Sequence, residues 1–568
     1  MASLPQKLVL INRTSYTNAT LKQKRLIMER YFSMTVIASA MLVGCASTSN
    51  TSNDVANAYQ SINSQQLAEH IKVLASDEFG GRAPSSKGEE LTLAYLTDQF
   101  KALGFQPGNG DSFLQEVPLV SLEADSNMVL TIGGKDYQYK KDMVMGSSRI
   151  SAKQSIKDSE LVFVGYGVNA PEYNWNDYEG LDVEGKTVVM LVNDPGFATK
   201  NPDLFTGDAM TYYGRWTYKY EEASRQGAAG AIIIHETAPA SYPWSVVENS
   251  WSGEQFGFQK ENNNMDRVAV EGWVTTDVAK ELFTKAGLDF DTMKANAAKG
   301  AYHVDMGDLT ASVEVNNTIK KSISYNFIAT LPGSEKPDEH IIYSAHWDHL
   351  GTDKTRKGDQ IYNGAHDNAT GTAGLIEVAE AFATLPQHPR RSMTFLAVTA
   401  EEQGLLGSKY YAANPVIPAS QTVANINMDS LNLLGKVKDI SVVGIGKSEM
   451  DSLLETAAKA QGRTVSGDPK PSSGGYYRSD HFAFANMGVP AMYAGGGSEA
   501  LNEETANYRK RMSLVLRGCY HQPCDRYRDE WDLSGAIQDL QLFYQVGFDI
   551  SEREEWPKWN ANSEFQRK

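Results

Sequence analysis

The stretch Ile341-Ile-Tyr-Ser-Ala-His346-Trp347-Asp348-His349-Leu-Gly351, continued past a polar loop by Asn363-Gly364-Ala365-His366-Asp367-Asn368-Ala369-Thr370-Gly371, decides how the chain is expected to fold. Its first half is an apolar run of strand type that ends on a histidine. A carboxylate follows two positions on, so His346 and Asp348 can lie on one side of an extended chain. A neutral imidazole that binds a metal through one nitrogen needs the other held, and Asp348 is placed to fix its tautomer and direction. The second half brings Asp367 ahead of a helix-like run, Leu375, Ile376, Val378 and Ala379, where a carboxylate can leave the backbone and bridge two cations. Each half also has a plainer reading. A His-x-Asp pair at a strand end is often a satisfied surface pair, and Asp-Asn ahead of a helix is often an N-cap.

Three further stretches shift the balance. Met393-Thr-Phe-Leu-Ala-Val-Thr-Ala400 is a second buried-strand pattern and runs into Glu401-Glu402-Gln-Gly404-Leu-Leu-Gly407-Ser408. Adjacent carboxylates usually mark a solvated face; directly after a core strand, one can bind metal while its neighbour stays free as a base. Val423-Ala-Asn-Ile-Asn-Met428 is a third strand pattern and delivers Asp429, and Cys519-Tyr520-His521-Gln-Pro523-Cys524-Asp525 offers a histidine in a constrained turn. Acidic and imidazole groups at the ends of successive strands imply one constellation at the carboxyl edge of an open sheet, where such folds place their sites.

Taken together and in order, His-x-Asp, Gly-x-x-Asp-Asn-x-x-Gly, Glu-Glu-x-Gly-x-x-Gly-Ser, an Asp after a strand and Tyr-His-x-Pro-x-Asp resemble peptidase family M28, whose members are di-zinc aminopeptidases and carboxypeptidases. The resemblance runs from about His70 to Ile550. It implies an α/β fold, with a mostly parallel central sheet, helices on both faces and an inserted, mainly-β protease-associated (PA) domain. It implies two Zn²⁺ ions, one held by His346, Asp367 and Asp429, the other by Asp367, Glu402 and His521, with Glu401 as general base. Asp348 would orient His346. Tyr520, beside a ligand, is expected either to donate to a tetrahedral oxyanion or only to pack. In Arg478-Ser-Asp480-His481-Phe482, His481 competes with His521 as last ligand; the motif around His521 selects it, leaving Arg478, Asp480 and His481 to line the substrate cleft. Position 366 departs from the family pattern: many relatives carry a second acid there, so His366 is either a donor toward substrate or a packing residue.

With 568 residues the chain exceeds one ordinary core, and two domains are expected. Acidic residues number 70 against 53 basic, a net charge of -17, which argues against nucleic acid or anionic lipid as a partner. Lys22, Lys24, Arg25 and Arg30 precede an apolar run from Tyr31 to Gly44 that is too short to span a bilayer and reads as an export signal. It closes with Leu42-Val-Gly-Cys45, similar to a bacterial lipoprotein cleavage box. Cys45 would then carry lipid, anchoring an exported protein to a membrane, most simply the outer membrane facing the periplasm. The alternative is an ordinary cleaved signal with an incidental cysteine. In an oxidising compartment Cys519 and Cys524 can pair and stiffen the loop of His521; otherwise they are two free thiols.

The expected layout is a signal over 1–45, a Ser/Thr/Asn-rich flexible tether over 46–63, a catalytic domain over 64–135 and 311–552, the PA-like insert over 136–310 and a polar, loose tail over 553–568. The insert carries none of the catalytic residues and is expected to limit substrate size or contact substrate or a partner. His235 follows one of its strands but has no carboxylates at ligand spacing. These readings converge on a peptide substrate and an exopeptidase, an aminopeptidase first. The alternatives are a carboxypeptidase or dipeptidase of the same family, a one-zinc glutaminyl cyclase-like enzyme, or a non-catalytic receptor or scaffold.

Overall fold

The computed structural model describes residues 52–561 and 563–567, so the expected signal and Cys45 lie outside the described residues. The chain divides into two compact units, Met1–Ala58 and Tyr59–Lys568. In the first, residues 52–58 are helical, which shortens the expected tether. Tyr59, at the start of the second unit, is fixed there: Gln461 Nε2 donates to its hydroxyl at 2.9 Å and Gln541 Nε2 to its carbonyl at 3.2 Å. Val55, Ala58, Tyr59 and Ile62 recur at helical spacing inside a Ser/Asn-rich background, and the background masks the pattern.

The second unit opens with helices α1 (Ser64–Leu74) and α2 (Lys87–Ala102). Each has a side-chain N-cap, Asn63 and Ser86 respectively, that accepts from two orphan backbone N–H groups of the first turn. Strand β1 (Leu114–Ala124) leads into the insert, whose strands β2 (Val129–Ile132), β3 (Lys153–Phe163), β4 (Thr187–Leu191), β5 (Gly230–His235) and β6 (Val270–Thr275) build a sheet in which β3, β4, β5 and β6 run parallel. Helices α3 (Trp216–Arg225) and α4 (Thr276–Lys285) cover its two faces. Successive β5 residues show why: Ile232 and Ile234 pack with Phe283 of α4, while Ile233 between them packs with Tyr220 of α3.

Strand β7 (Val304–Leu331) joins the two sheets in one continuous element. Its amino-terminal part pairs with β3 as far as Asn316, and from Asn317 onward it pairs antiparallel with β1. The insert sheet thus begins at β2 and hands over at Asn316, shifting the expected limits of 136 and 310. Nothing in the sequence of β7 marks the change, because one extended chain serves both sheets.

Beyond β7 the second sheet is built from β8 (Lys336–His346), β9 (Arg391–Val398), β10 (Thr422–Asn427), β11 (Asp439–Val442), β12 (Thr464–Gly467) and β13 (Ala491–Gly496). The order β9, β8, β10, β13 is parallel throughout; antiparallel partners, β7 on one side and β11 on the other, flank this core. Helices α5 (Thr370–Ala383), α6 (Leu406–Ala413), α7 (His481–Asn486), α8 (Glu503–Cys519) and α9 (Ser534–Glu552) are among those of the same unit. Neighbouring β8 residues face opposite layers. Ile342 packs with Tyr411 of α6 and Phe484 of α7, whereas the Tyr343 ring meets Phe382 of α5 and its hydroxyl donates to the Phe543 carbonyl of α9 at 2.9 Å. The fold is α/β with helices on both faces of a mostly parallel core. Burial on both faces explains why β8, β9 and β10 read as continuous apolar runs.

The expected loose tail is packed. Trp559 and Phe565 are buried with Tyr476, Tyr477 and Phe482, Trp559 Nε1 donates to the Gly488 carbonyl at 2.9 Å, and Arg567 Nη1 donates to the Thr422 carbonyl at 3.0 Å. Two aromatic anchors spaced six apart among polar residues carry no local periodicity, and their partners lie far away in sequence.

Candidate metal centre

The chain runs from β8 to β9 on one side and then crosses back over β8 to reach β10 on the other. This reversal makes a crevice at the carboxyl ends of the strands, the place where open parallel sheets bind ligands. His346 is the last residue of β8; Glu401 and Glu402 follow β9, and Asp429 follows β10. Asp367 sits ahead of α5 in a loop whose backbone is pinned by one carboxylate: Asp525 accepts from the His366 N–H at 2.9 Å and the Asp367 N–H at 3.1 Å.

The two Asp367 oxygens face different histidines. Oδ1 lies 3.3 Å from His346 Nε2, and Oδ2 lies 3.2 Å from His521 Nε2. Asp429 Oδ1 is 3.5 Å from the same His346 nitrogen, and Glu402 Oε2 is 3.0 Å from the same His521 nitrogen. Neither imidazole nitrogen makes a hydrogen bond, although both are buried. Bare ring nitrogens each flanked by two carboxylate oxygens are costly as they stand, but they are what a cation between them requires. His346, Asp367 and Glu402 also offer ligand atoms all within 4.8 Å of one another. The donor set therefore fits metal. All five ligand candidates come together here.

Three backbone positions beside these groups are left-handed without being glycine: Ala400 (φ 51°) before Glu401, Ser430 (φ 63°) after Asp429, and His521 itself (φ 53°). Such strain costs of order 1–3 kcal/mol at each position and is kept where surrounding structure fixes it. The Cys519 and Cys524 sulfurs are bonded at 2.09 Å and bracket His521.

His346 Nδ1 is held by the Asp348 backbone carbonyl at 3.2 Å, while the Asp348 carboxylate oxygen is 3.9 Å away. That carboxylate instead accepts from the Glu401 N–H at 3.0 Å, so Asp348 orients both the histidine and the carboxylate turn. Glu401 Oε2 stands 4.0 Å from His346 Nε2 without joining either ligand group. Burial first, and with it the charges of Asp429, Asp480 and Glu402, pushes the Glu401 carboxyl well above its ordinary range against the pull of His346.

A cleft of about 410 Å³ opens on the centre, lined among others by Asp367, Glu401, Asp429, Lys470, Arg478 and Tyr520. Tyr520 stacks on His521 at 3.9 Å between ring centroids and is 59 % exposed, which leaves its hydroxyl toward the cleft rather than in a core. Arg478 lines the cleft as expected. Asp480 and His481 do not: both are fully buried behind it, Asp480 accepting from Ser408 Oγ at 2.6 Å and His481 lying between the Tyr476 and Tyr493 rings, because α7 begins there and turns them inward. His366 is half-buried and not a lining residue; its backbone carbonyl accepts from Thr370. His235 bonds to the Tyr242 carbonyl at 3.0 Å inside the insert.

Four contributors were not assigned from sequence. His349 Nδ1 lies 2.5 Å from Glu402 Oε1 and holds the oxygen that does not face His521. Ser479 Oγ donates to Asp429 Oδ2 at 2.6 Å. Asp525 pins the Asp367 loop, as above. Arg82, 1 % exposed, donates to the Leu74, Trp347 and Gly364 carbonyls at 2.7, 2.9 and 2.8 Å and so ties the two halves of the opening stretch together. His349 and Asp525 stand inside the motifs themselves, a usable signal; the backbone carbonyls that Arg82 serves are invisible in sequence.

The match to known families falls on this region: residues 326–545 match the family model of peptidase family M28. Among curated relatives, leupeptin-inactivating enzyme 1 of Streptomyces exfoliatus is 25% identical over 243 residues, 42% of this chain and 50% of that one. Aminopeptidase NAALADL1 of Mus musculus is 33% identical over 122 residues, 21% of this chain and 15% of its own length. The chain thus spans at most about half the length of these relatives. Among solved structures, an aminopeptidase from Aneurinibacillus sp. strain AM-1 is 20% identical, covering 88% of this chain and 96% of that chain at a TM-score of 0.49.

Proposed function

We propose that this chain is a member of peptidase family M28, an exported, zinc-dependent exopeptidase that removes amino-terminal residues from peptides. The observation that carries the reading is the Asp367 carboxylate set between two unpartnered imidazole nitrogens, each with a second carboxylate beside it. Nitrogen and carboxylate donors without thiolates suit zinc. His346, Asp367 and Asp429 would hold one ion, and Asp367, Glu402 and His521 the other. Zinc bound there supplies positive charge that polarises a scissile carbonyl and acidifies water.

The chain's own groups do the rest. Glu401 takes one proton from the attacking water and returns it to the departing amine nitrogen, so the proton count closes over one turnover. The Tyr520 hydroxyl, lining the cleft beside His521, donates to the carbonyl oxygen as negative charge grows on it. Asp348 and His349 hold His346 and Glu402 in place.

The amino-terminal preference is supported by the carboxylates of Asp429 and Glu401 in the cleft wall, which suit a substrate ammonium near the reacting bond, and by the aminopeptidase name of the murine relative. A panel of dipeptides blocked at either end tests it. Amino blocking is expected to abolish hydrolysis and carboxyl amidation to spare it; the reverse pattern would make the enzyme a carboxypeptidase.

Export is supported by the bonded Cys519–Cys524 pair. Reduction is expected to lower activity by loosening His521, and two free thiols in the untreated protein would exclude the pairing. Lipid attachment at Cys45 predicts membrane fractionation that Cys45→Ala releases; a parent protein found only in the soluble fraction would argue against it.

A further inference from the structure

One wall of the cleft is the segment 468–479, which contributes Asp468, Lys470, Ser473, Arg478 and Ser479 to the lining. This wall has little regular structure of its own, only two single-turn helices at Pro471–Ser473 and Gly475–Tyr477. Something else must hold it. Two distant parts of the chain do so, and both act on its buried aromatic pair.

From the insert, the Met210 N–H donates to the Pro471 carbonyl at 3.2 Å, and the Tyr212 ring meets Tyr477 at 5.8 Å and Phe482 at 5.0 Å between centroids. The approach is close: a methyl added at Gly474 would meet Met210 Sδ at 2.6 Å. From the tail, Glu564 accepts from the Tyr477 hydroxyl at 2.8 Å and pairs with Lys447 Nζ at 2.7 Å, while Phe565 stacks on Tyr476 at 5.9 Å. Tyr477 is buried where the two supports meet. Among the described residues the insert lines none of the cleft, and it touches this wall through Met210 and Tyr212.

We propose that Tyr477 is a positioning residue for substrate, clamped between Tyr212 of the insert and Glu564 of the carboxyl-terminal tail, and that through it these two elements set the geometry of the Lys470–Ser479 wall. Its kinetic consequence rests on the peptidase reading; the clamp itself does not. The wall carries Arg478 and Lys470 and none of the metal ligands, and its last residue, Ser479, which donates to Asp429, is held separately by Asn427 Nδ2 at 2.8 Å, so loosening the wall weakens substrate binding and leaves metal and proton transfer alone.

The test uses the full zinc-loaded chain with Tyr477→Phe, Glu564→Ala, their double variant and Tyr477→Ala, all checked for Tm and zinc content. Tyr477→Phe keeps the ring and loses the bond to Glu564; it is expected to raise KM for a tripeptide about three- to tenfold, the size of one lost hydrogen bond, with kcat within about twofold. Glu564→Ala should match it, and the double variant should add nothing further. Tyr477→Ala should exceed all three. Amide exchange within 468–479 should quicken in the same order with zinc content unchanged. Unchanged exchange in that segment in Tyr477→Ala would overturn the clamp. Faster exchange with an unmoved KM, or a fall confined to kcat, would overturn the positioning role. If the parent chain hydrolysed no peptide, the peptidase reading would fall while the exchange measurement still decided the clamp.

Discussion

Glu401→Gln is expected to keep both metal positions filled and to lose about 10²- to 10⁴-fold in turnover, the usual worth of a positioned general base. The two halves of that outcome follow from one geometry. Glu401 lines the cleft and approaches His346 only to 4.0 Å, whereas Asp367 and Asp429 come to 3.3 and 3.5 Å, so the amide replaces a group that the ligand sets do not use. Its backbone stays tied to Asp348, because the Glu401 N–H that Asp348 accepts from is untouched. What the amide lacks is a site for a proton. KM should change little, since the loss falls on a step that follows binding. Steady-state kinetics beside metal analysis reads both parts. Parent-like turnover would remove Glu401 from the chemistry, and a metal-free variant would move it among the ligands.

Asp367→Ala should have the largest effect of any single change. Its two oxygens serve both imidazoles, so the substitution removes a ligand from each group at once and leaves His346 and His521 with one carboxylate apiece. We expect loss of both ions and of all measurable hydrolysis. His521→Ala should cost only the ion it shares with Glu402, because His346, Asp367 and Asp429 remain together. Both losses in affinity should exceed the 10- to 100-fold typical of removing an outer hydrogen-bond partner. Isothermal titration of the metal-free variants with zinc separates the cases. Equal stoichiometry in the two variants would contradict the shared-bridge geometry.

Much of this centre is legible in sequence because three of its ligand candidates, His346, Glu402 and Asp429, stand at the ends of strongly marked strands. His346 ends β8, the glutamate pair follows β9 and Asp429 follows β10, and apolar runs buried on both faces announce themselves without any knowledge of tertiary structure. The remainder is hidden for identifiable reasons. Arg82 acts on backbone carbonyls brought to it by chain closure. Asp480 and His481 look like cleft residues because they follow Arg478, yet the start of α7 rotates them into the interior. The tail is polar in composition, and its order depends on Trp559 and Phe565 finding Tyr476, Tyr477 and Phe482. Strand β7 serves two sheets with no break to show where one yields to the other.

The proposed bridge by Asp367 between two metal positions is tested most directly by the zinc content of the purified chain after saturation and removal of excess metal. Two ions per chain, falling together on Asp367→Ala and to one on His521→Ala, is the predicted result. A parent protein that holds one ion, or none, would contradict it.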